Sequence, residues 1–280
     1  MRFSALVLAA FLSLVFSEAR ADALARIKDG GVVKLGYRED AAPFSYRNDL
    51  GEPAGYSVGL CGAVVKALRQ ELNRPDLAVK FVPVGAEDRF TAIRDGTIDL
   101  LCGATTATLS RRELVDFSLP TFIDGASVLY LKDGPADFEG LAGHKVGVRG
   151  GTTTEEALRN SLKKIGVDAQ VVSVTDHKEG LRSLEAGEFS AYFADQGILL
   201  FLMLQSQSPD MLRLSGRFFT REPYALALPR GDSAFRLLVD RTLSRLYRTG
   251  KVRDYFSNAF GSAKPSKLLE ALFVVSALPE

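Results

Sequence analysis

The chain of 280 residues is poor in histidine and cysteine and has almost no excess charge, and each shortage disfavours a class of function. Two histidines and two cysteines at unrelated spacings do not suggest a zinc site, and no HExxH motif is present to suggest metal-dependent hydrolysis. A formal net charge of +1 gives no electrostatic reason to expect a nucleic acid or an anionic membrane as a partner. The composition therefore favours a globular protein that needs no cofactor.

The N-terminus has the features of a secretory leader. Arg2 precedes an apolar run from Phe3 to Phe16, and Ala19-Arg20-Ala21 is a small-x-small cleavage pattern. Since this run is shorter than the roughly 20 residues of a membrane span, we predict a cleaved signal peptide over residues 1–21 in preference to an anchor. No cysteine follows the leader, which disfavours a lipoprotein, so the mature protein is expected in the periplasm.

The two cysteines can form only one bridge. Export places Cys61 and Cys102 in an oxidising compartment, where disulfides persist. Cys61 lies in the first long predicted helix and Cys102 at the end of a neighbouring predicted strand, so a disulfide between them is expected. Two buried free thiols are the alternative, because unpaired cysteines are also common in protein cores.

Short apolar runs alternate with helical stretches along the mature chain. VVKLGY, LAVKFVPV and HKVGVRG are typical of buried strands, whereas SVGLCGAVVKALRQEL and TTEEALRNSLKKIG have helical character. This alternation predicts α/β domains with largely parallel sheets. A Gly-Pro break at 132–135 precedes a fresh strand, and the chain length suits two lobes of about 100 to 150 residues each. The last apolar run, 268–278, is too short to span a membrane and is predicted to dock on the body.

The segment CGATTATLSRRELVDFS, residues 102–118, has the clearest functional character. Thr105 and Thr106 shortly precede the pair Arg111-Arg112. A guanidinium offers a planar fork of donors that matches a carboxylate, and neighbouring hydroxyl and backbone N–H groups can complete the contact. Taken alone, the same residues are more typical of a solvated turn with surface arginines, so the prediction of a carboxylate site depends on the surrounding motifs.

The surrounding motifs resemble those of one protein family. GYREDAAPFSY, GVRGGTTTEEAL and VTDHKEGLRSLEAGEFSAYFAD stand on either side of the threonine and arginine segment. With that segment they resemble the extracytoplasmic solute-binding proteins (family 3) of polar amino-acid ABC transporters, and within these the glutamate/aspartate-binding branch. The likeness runs from about residue 31 to residue 260, which is most of the mature chain.

The resemblance implies a fold and a function. The expected fold is α/β, a two-lobed periplasmic binding protein of the type II, clam-shell kind with two hinge strands. Lobe 1 would comprise residues 22–130 and 227–280, and lobe 2 residues 131–226. The implied function is that of a monomeric receptor, not an enzyme, which delivers an L-amino acid, glutamate or aspartate first, to permease and ATPase subunits by closing its lobes.

The resemblance also implies roles for individual residues. Arg111 would clamp the α-carboxylate of the ligand with the help of Thr106, and Arg38 would contact its side-chain carboxylate. Asp195 would hold the α-ammonium, since a buried carboxylate needs a cation. The remaining predicted ligand-binding residues are Arg89, Thr105, Thr152, Thr153 and His177.

Simpler interpretations of three of these residues stay open. Arg38 stands beside Glu39 and Asp40, an arrangement typical of a surface ion pair. The hydroxyl of Thr152 or Thr153 would also explain the start of a helix as an N-cap. A lone histidine in a loop, such as His177, is usually structural or solvated.

Three departures from the glutamate/aspartate-binding pattern bear on the ligand. Ala86 and Ala104 stand where that branch has serines, and Gly59 replaces an acidic residue. A site with fewer hydrogen-bonding groups discriminates less against less polar ligands, so another amino acid or a dicarboxylate is a credible ligand.

Two other functions are compatible with the same fold. A cyclohexadienyl dehydratase-like enzyme would need a general acid, for which Glu155 and His177 are the candidates. A sensory receptor would use the same lobes and differ only in its partner.

Overall fold

A computed structural model describes residues 23–280, and the predicted signal peptide lies outside them. These residues form two five-stranded sheets and one small three-stranded sheet. The strands are β1 (Val32–Tyr37), β2 (Asp40–Ala41), β3 (Ser45–Arg47), β4 (Pro53–Ala54), β5 (Ala78–Pro83), β6 (Leu100–Cys102), β7 (Asp116–Asp124), β8 (Ala126–Leu131), β9 (Lys145–Arg149), β10 (Gln170–Val174), β11 (Ala191–Asp195), β12 (Leu212–Leu214) and β13 (Glu222–Leu228).

Ten α-helices accompany these strands within the described part of the chain. They are α1 (Ala23–Gly30), α2 (Tyr56–Glu71), α3 (Arg89–Arg94), α4 (Leu109–Arg112), α5 (Thr153–Ile165), α6 (His177–Glu185), α7 (Gln196–Gln205), α8 (Ser233–Arg248), α9 (Val252–Phe260) and α10 (Lys267–Val275). None of them is long and apolar enough to cross a membrane. Helix α10 packs on β7 and α8, so the last apolar run docks on the body as predicted.

Each large sheet is mixed, with two parallel and two antiparallel strand pairs, whereas the strand and helix alternation predicted largely parallel sheets. The first sheet has the order β5-β1-β6-β13-β7, in which β1 is parallel to β5 and β6 while β13 is antiparallel. The second sheet has the order β10-β9-β11-β8-β12, with β9 parallel to β10 and β11 and β8 antiparallel. Parallel neighbours need crossover helices, which the helices between these strands supply. The predicted α/β, two-lobed fold is thereby confirmed.

Sheet membership locates the crossings between the lobes. Strand β7 ends at Asp124 in the first sheet and β8 begins at Ala126 in the second, so the chain crosses at Gly125; it returns between Leu214 and Glu222. The predicted boundaries, 130/131 and 226/227, instead fall inside β8 and β13. Because each of these strands hydrogen-bonds within a single sheet, we propose lobe boundaries at Gly125 and at 215–221 as a correction to the sequence-based division.

The predicted disulfide is present in lobe 1. Cys61 of α2 and Cys102 at the end of β6 are joined, with a Cα–Cα distance of 6.1 Å and both residues fully buried. The bridge fixes α2 to the strand that leads directly into Thr105 and Thr106. It therefore anchors one wall of the cleft between the lobes.

Candidate functional site

The cleft between the lobes is built from chain segments at the carboxyl ends of strands. Arg38 follows β1, Thr105 and Thr106 follow β6, and Arg149 and Asp195 end β9 and β11. The carboxyl ends of parallel strands lie at one edge of a sheet, which is where open α/β sheets bind ligands. The fold thus turns residues far apart in sequence toward one space.

Two arginines of lobe 1 are buried with donors that have no acceptor. Arg38 and Arg89 are 3% and 2% exposed. Nε of Arg38, and Nε and Nη1 of Arg89, make no hydrogen bond to any atom of residues 23–280, whereas Nη2 of Arg38 is engaged in an ion pair with Asp40. Buried, unpaired polar groups are costly, and charged ones most of all. These donors therefore require an acceptor, and an anion is the best one.

Repulsion among guanidiniums strengthens this requirement. Burial is the main reason that the pKa of Arg89 lies well below its usual range, and the charges of Arg38, Arg111 and Arg149 lower it further. Like charges at short range disfavour one another. An anion in the cleft would relieve the repulsion among all four arginines.

Arg111 is oriented by its surroundings. Its Nη1 donates to the carbonyl oxygen of Thr106 at 2.9 Å, and its guanidinium carbon lies 5.2 Å from the centre of the Phe90 ring. Thr108 caps helix α4 and accepts from the backbone N–H of Arg111 at 3.2 Å. The neighbouring Arg112 is exposed. The two adjacent arginines are therefore sharply different in environment.

The threonines divide into two groups. The Thr105 hydroxyl is buried and has no hydrogen-bond partner among residues 23–280. Thr106 and Thr153, one from each lobe, both donate to Oε2 of Glu222, at 2.5 and 2.9 Å. Glu222 is buried and was missed from the sequence, because nothing in REPYAL marks its glutamate as more than the start of a strand.

Thr152 serves as a helix cap, which confirms the simpler interpretation of its hydroxyl. Its Oγ1 accepts from the backbone N–H of Glu155 at 3.2 Å, and lies 2.7 Å from the carbonyl oxygen of Arg149. Glu155 in turn accepts from the backbone N–H of Gly151 at 3.0 Å. The glycine loop is thus held from within the lobe by its own helix.

Asp195 presents an unpaired acceptor inside the cleft. Its Oδ2 accepts a hydrogen bond from the Tyr224 hydroxyl of the other lobe, whereas its Oδ1 is buried without a partner among residues 23–280. Burial raises the pKa of Asp195 well above its usual range, and the nearby charges of Asp124 and Glu222 act in the same direction. A bound cation would reverse this effect by favouring the carboxylate.

Asp124 lies beside Asp195 at the crossing between the lobes. It accepts from the backbone N–H groups of Gly125 and Gly197, at 2.8 and 3.1 Å. A Cβ on Gly197 would lie 2.8 Å from Oδ2 of Asp124, so glycine permits the close approach of lobe 2. Burial raises the pKa of Asp124 to about 6 despite these hydrogen bonds.

His177 is buried and neutral in this arrangement. Its Nδ1 lies 2.9 Å from the hydroxyl of Tyr192. His177 is the first residue of helix α6 and directly follows the N-cap residue Asp176. Burial lowers the pKa of His177 to about 4, with the nearby Arg38 and Arg149 adding to the effect. The histidine is therefore a structural neighbour of the arginine cluster, consistent with the simpler interpretation of a lone histidine.

An ion-pair network that the sequence did not reveal joins the two lobes beside Arg38. Arg38 does pair with Asp40, as the simpler interpretation held, but the pair is buried in the cleft. Arg149 of lobe 2 contacts both Asp40 and Glu87 of lobe 1. One sequence feature could have indicated a role for Arg149, namely that it ends a predicted strand directly before two glycines.

The site as a whole has opposite chemistry at its two ends. Guanidinium and hydroxyl donors that find no hydrogen-bond partner in the described part of the chain lie on the lobe 1 side, and a carboxylate oxygen without such a partner lies on the lobe 2 side. Within residues 23–280 no group of histidine, cysteine, aspartate and glutamate is placed to hold a metal ion. Such a site can bind a small molecule that carries both an anion and a cation.

A two-lobed α/β protein with a charged cleft between its sheets belongs to the class of clam-shell solute-binding proteins. The sequence model of the bacterial extracellular solute-binding proteins, family 3, matches residues 33–262. This chain is therefore a member of that family, as its motifs suggested.

Curated relatives are similar over nearly the whole chain. The glutamate/aspartate import solute-binding protein of Salmonella typhimurium is 33% identical over 92% of this chain and 86% of its own length. The L-glutamate/L-aspartate-binding protein of Pseudomonas aeruginosa is 34% identical over 98% of this chain and 91% of its own length.

Solved structures share the fold at lower identity. An ancestral arginine-binding protein bound to glutamine superposes with a TM-score of 0.73 at 26% identity, covering 83% of this chain and 99% of that one. An ancestral amino-acid-binding protein, a precursor of cyclohexadienyl dehydratase, gives a TM-score of 0.74 at 26% identity, covering 85% and 99%.

Proposed function

We propose that this protein is a periplasmic receptor that binds an L-amino acid, with glutamate or aspartate first, and delivers it to the permease of an ABC transporter. The observation that carries the proposal is the set of buried, unpaired polar atoms in the cleft. Among residues 23–280, donors of Arg38, Arg89 and Thr105 in lobe 1 and Oδ1 of Asp195 in lobe 2 are buried without hydrogen-bond partners. This pattern complements a zwitterion, and the curated relatives that bind glutamate and aspartate support the same choice.

The charge balance favours an acidic side chain on the ligand. Three guanidiniums, those of Arg38, Arg89 and Arg149, lie near one another together with two carboxylates, those of Asp40 and Glu87. This end of the cleft therefore keeps an excess of one positive charge, whereas Arg111 lies near the carboxylates of Glu222 and Asp195. A carboxylate on the ligand side chain neutralises that excess, whereas an amide or apolar side chain leaves it uncompensated.

The ligand can be oriented from the same contacts. We assign the α-carboxylate to Arg111 and Thr105, and the side-chain carboxylate to Arg38 and Arg89. Oδ1 of Asp195 then accepts from the α-ammonium. Since this ligand touches both lobes at once, it binds the closed form more tightly than an open one and so drives closure.

The candidate groups for enzymatic chemistry are poorly suited to it. Hydrogen bonds from Ser173, Arg159 and Gly151 outweigh burial and hold the pKa of Glu155 below its usual range, so it is a weak general acid. His177 is neutral near pH 7. A Gly-x-Ser-x-Gly pattern does occur at 55–59, but Ser57 is buried in a helix and donates to the Gly103 carbonyl at 3.1 Å. We therefore propose binding without turnover.

A thermal-shift and calorimetry screen of the mature protein, 22–280, tests the proposed ligand. Any co-purified ligand is first removed by unfolding and refolding. Glutamate or aspartate is expected to raise the melting temperature, because a ligand that binds only the native state stabilises it in proportion to the logarithm of its excess over Kd. A response to prephenate with product formation, or no response to any amino acid, would overturn the proposal.

Glutamate affinity is expected to fall as the pH is lowered from 8 to 5. Burial raises the pKa of Asp195, and the ligand ammonium favours its ionised form, so binding below that raised pKa must release a proton. Linkage then gives a loss of up to about tenfold in affinity for each pH unit below it. The glutamate side chain itself stays mostly ionised in this range.

Isothermal titration in two buffers of different ionisation enthalpy measures the proton release directly. In Asp195→Asn the affinity is expected to be weaker and its pH dependence reduced. A wild-type affinity that stays flat between pH 5 and 8 would contradict the assigned role of Asp195.

A further inference from the structure

We propose that Arg149 is a positioning residue that latches the two lobes and, through Asp40, orients Arg38 toward the side-chain carboxylate of the ligand. The proposal rests on the proposed function, since it concerns how that ligand is held. It assigns a role to three residues, Arg149, Asp40 and Glu87, that contact no ligand group in the orientation given above.

The contacts of Arg149 cross the cleft. Arg149 ends strand β9 of the second sheet, whereas Asp40 and Glu87 belong to lobe 1. Nε of Arg149 lies 3.1 Å from Oδ2 of Asp40, and Nη1 lies 2.7 Å from Oε1 of Glu87. Nη1 also donates to the carbonyl oxygen of Gly150 at 2.9 Å, which fixes the guanidinium to its own lobe. One side chain thus ties lobe 2 to two separate segments of lobe 1.

Asp40 carries this contact onward to Arg38. Its Oδ1 lies 2.6 Å from Nη2 of Arg38, while its Oδ2 is occupied by Arg149. Burial alone would raise the pKa of Asp40, but Arg38 and Arg149 outweigh it and lower the pKa. The aspartate is therefore ionised and held between two arginines, one from each lobe.

Burial decides which of the two ion pairs matters more. The side chains of Arg149 and Asp40 are 7% and 12% exposed, whereas that of Glu87 is 61% exposed. Exposed pairs contribute little to stability, and breaking a buried pair costs much more because a charge is left without a partner. The Arg149–Asp40 contact is thus the main latch, and Glu87 assists it.

The segments around the contact leave space beside it and approach each other closely. A cavity of about 670 Å³ is lined by Arg38, Asp40 and Arg149, among other residues. A Cβ on Gly151, which has a φ of 70°, would lie 3.2 Å from Oε1 of Glu87. Glycine at this position therefore allows the loop after β9 to approach lobe 1.

Stopped-flow kinetics of glutamate binding test the latch. Arg149→Gln is expected to raise the dissociation rate constant about 10- to 100-fold and to change the association rate constant by less than about threefold, because losing one partner of a buried charge pair acts mainly on dissociation. Arg159→Gln is the matched control. Arg159 pairs with Glu155 inside lobe 2, so its removal is expected to leave both rate constants unchanged.

A double-mutant cycle tests whether Arg149 acts through Asp40. Asp40→Asn alone should also speed dissociation, and adding Arg149→Gln to it should have much less effect than Arg149→Gln has in the unaltered protein. Arg149→Lys is expected to recover part of the effect, since it keeps the charge without the planar fork. Fully additive effects would show that Arg149 does not act through Asp40, and an unchanged dissociation rate in Arg149→Gln would overturn the latch itself.

The latch and the proposed ligand fail in distinguishable ways. If the unaltered protein binds glutamate and Arg149→Gln releases it at the same rate, only the latch is overturned. If the unaltered protein binds neither glutamate nor aspartate, the proposed function fails instead. In that case small-angle scattering without added ligand tests the latch. If the scattering curves of the unaltered protein and of Arg149→Gln are the same, the latch is overturned as well.

Discussion

Replacing Arg111 by alanine is expected to weaken glutamate binding about 100- to 1,000-fold, because one charge of a desolvated, hydrogen-bonded pair is lost while its partner stays buried. Arg111 is half-buried and held by the Thr106 carbonyl and the face of Phe90, so its guanidinium is fixed before the ligand arrives. Burial lowers the pKa of Arg111, an effect that the nearby Glu222 partly offsets and a bound carboxylate would offset further. Isothermal titration calorimetry measures the change in affinity.

The adjacent arginine provides the control for this prediction. Arg112 has the same side chain one position later, but it is exposed and lies over the ring of Phe117, at 5.6 Å from its centre. Arg112→Ala is expected to change the affinity by less than about threefold, since exposed charges contribute little. Equal losses in the two variants would indicate a general electrostatic attraction, and an unaltered affinity in Arg111→Ala would contradict its assigned role.

Removing the disulfide is expected to lower the free energy of unfolding by about 4 kcal/mol, the chain-entropy value for a closed loop of this size. The bridge joins residues 41 apart in the sequence and closes a loop that contains all of β5 and α3. For a chain of this length, such a loss lowers the melting temperature by about 8 to 16 °C. Differential scanning calorimetry of Cys61→Ala/Cys102→Ala measures it.

Reduced wild-type protein is the control for lost packing. Both cysteines are fully buried, so alanine also removes two sulfur atoms from the core, whereas reduction with dithiothreitol keeps them. If the entropic account holds, the reduced protein and the double variant should both be destabilised, with the variant slightly more so. A reduced protein as stable as the oxidised one would contradict the account.

The sequence predicted the elements of the fold better than the junctions between them. Strands of Val, Leu and Ile alternate with amphipathic helices, and this pattern depends only on local periodicity and propensity, so the two α/β units followed from it. The crossings did not follow, because β8 and β13 have the same apolar character on both sides of the predicted boundaries. Which sheet a strand joins depends on its hydrogen-bonding partner and not on its own residues.

Among the residues of the site, too, the sequence predicted some and missed others. The arginines at positions 38 and 111 stand in motifs that can be recognised from the sequence. Glu222, Asp124 and Arg149 were missed, because each is unremarkable in its own segment. Their importance comes from partners on the other lobe, which are brought near only when the two sheets face each other.

The sequence by itself thus determined the family, the α/β elements, the one possible disulfide and the arginines that favour an anionic ligand. Local pattern and residue chemistry are sufficient for these, since each depends on residues close together in the chain. The tertiary structure decided which donors of residues 23–280 are buried without partners, that Oδ1 of Asp195 is buried in the same way, and that Arg149 joins the lobes through Asp40. These depend on burial and on distances across the cleft, which only the packing of the two lobes against each other fixes.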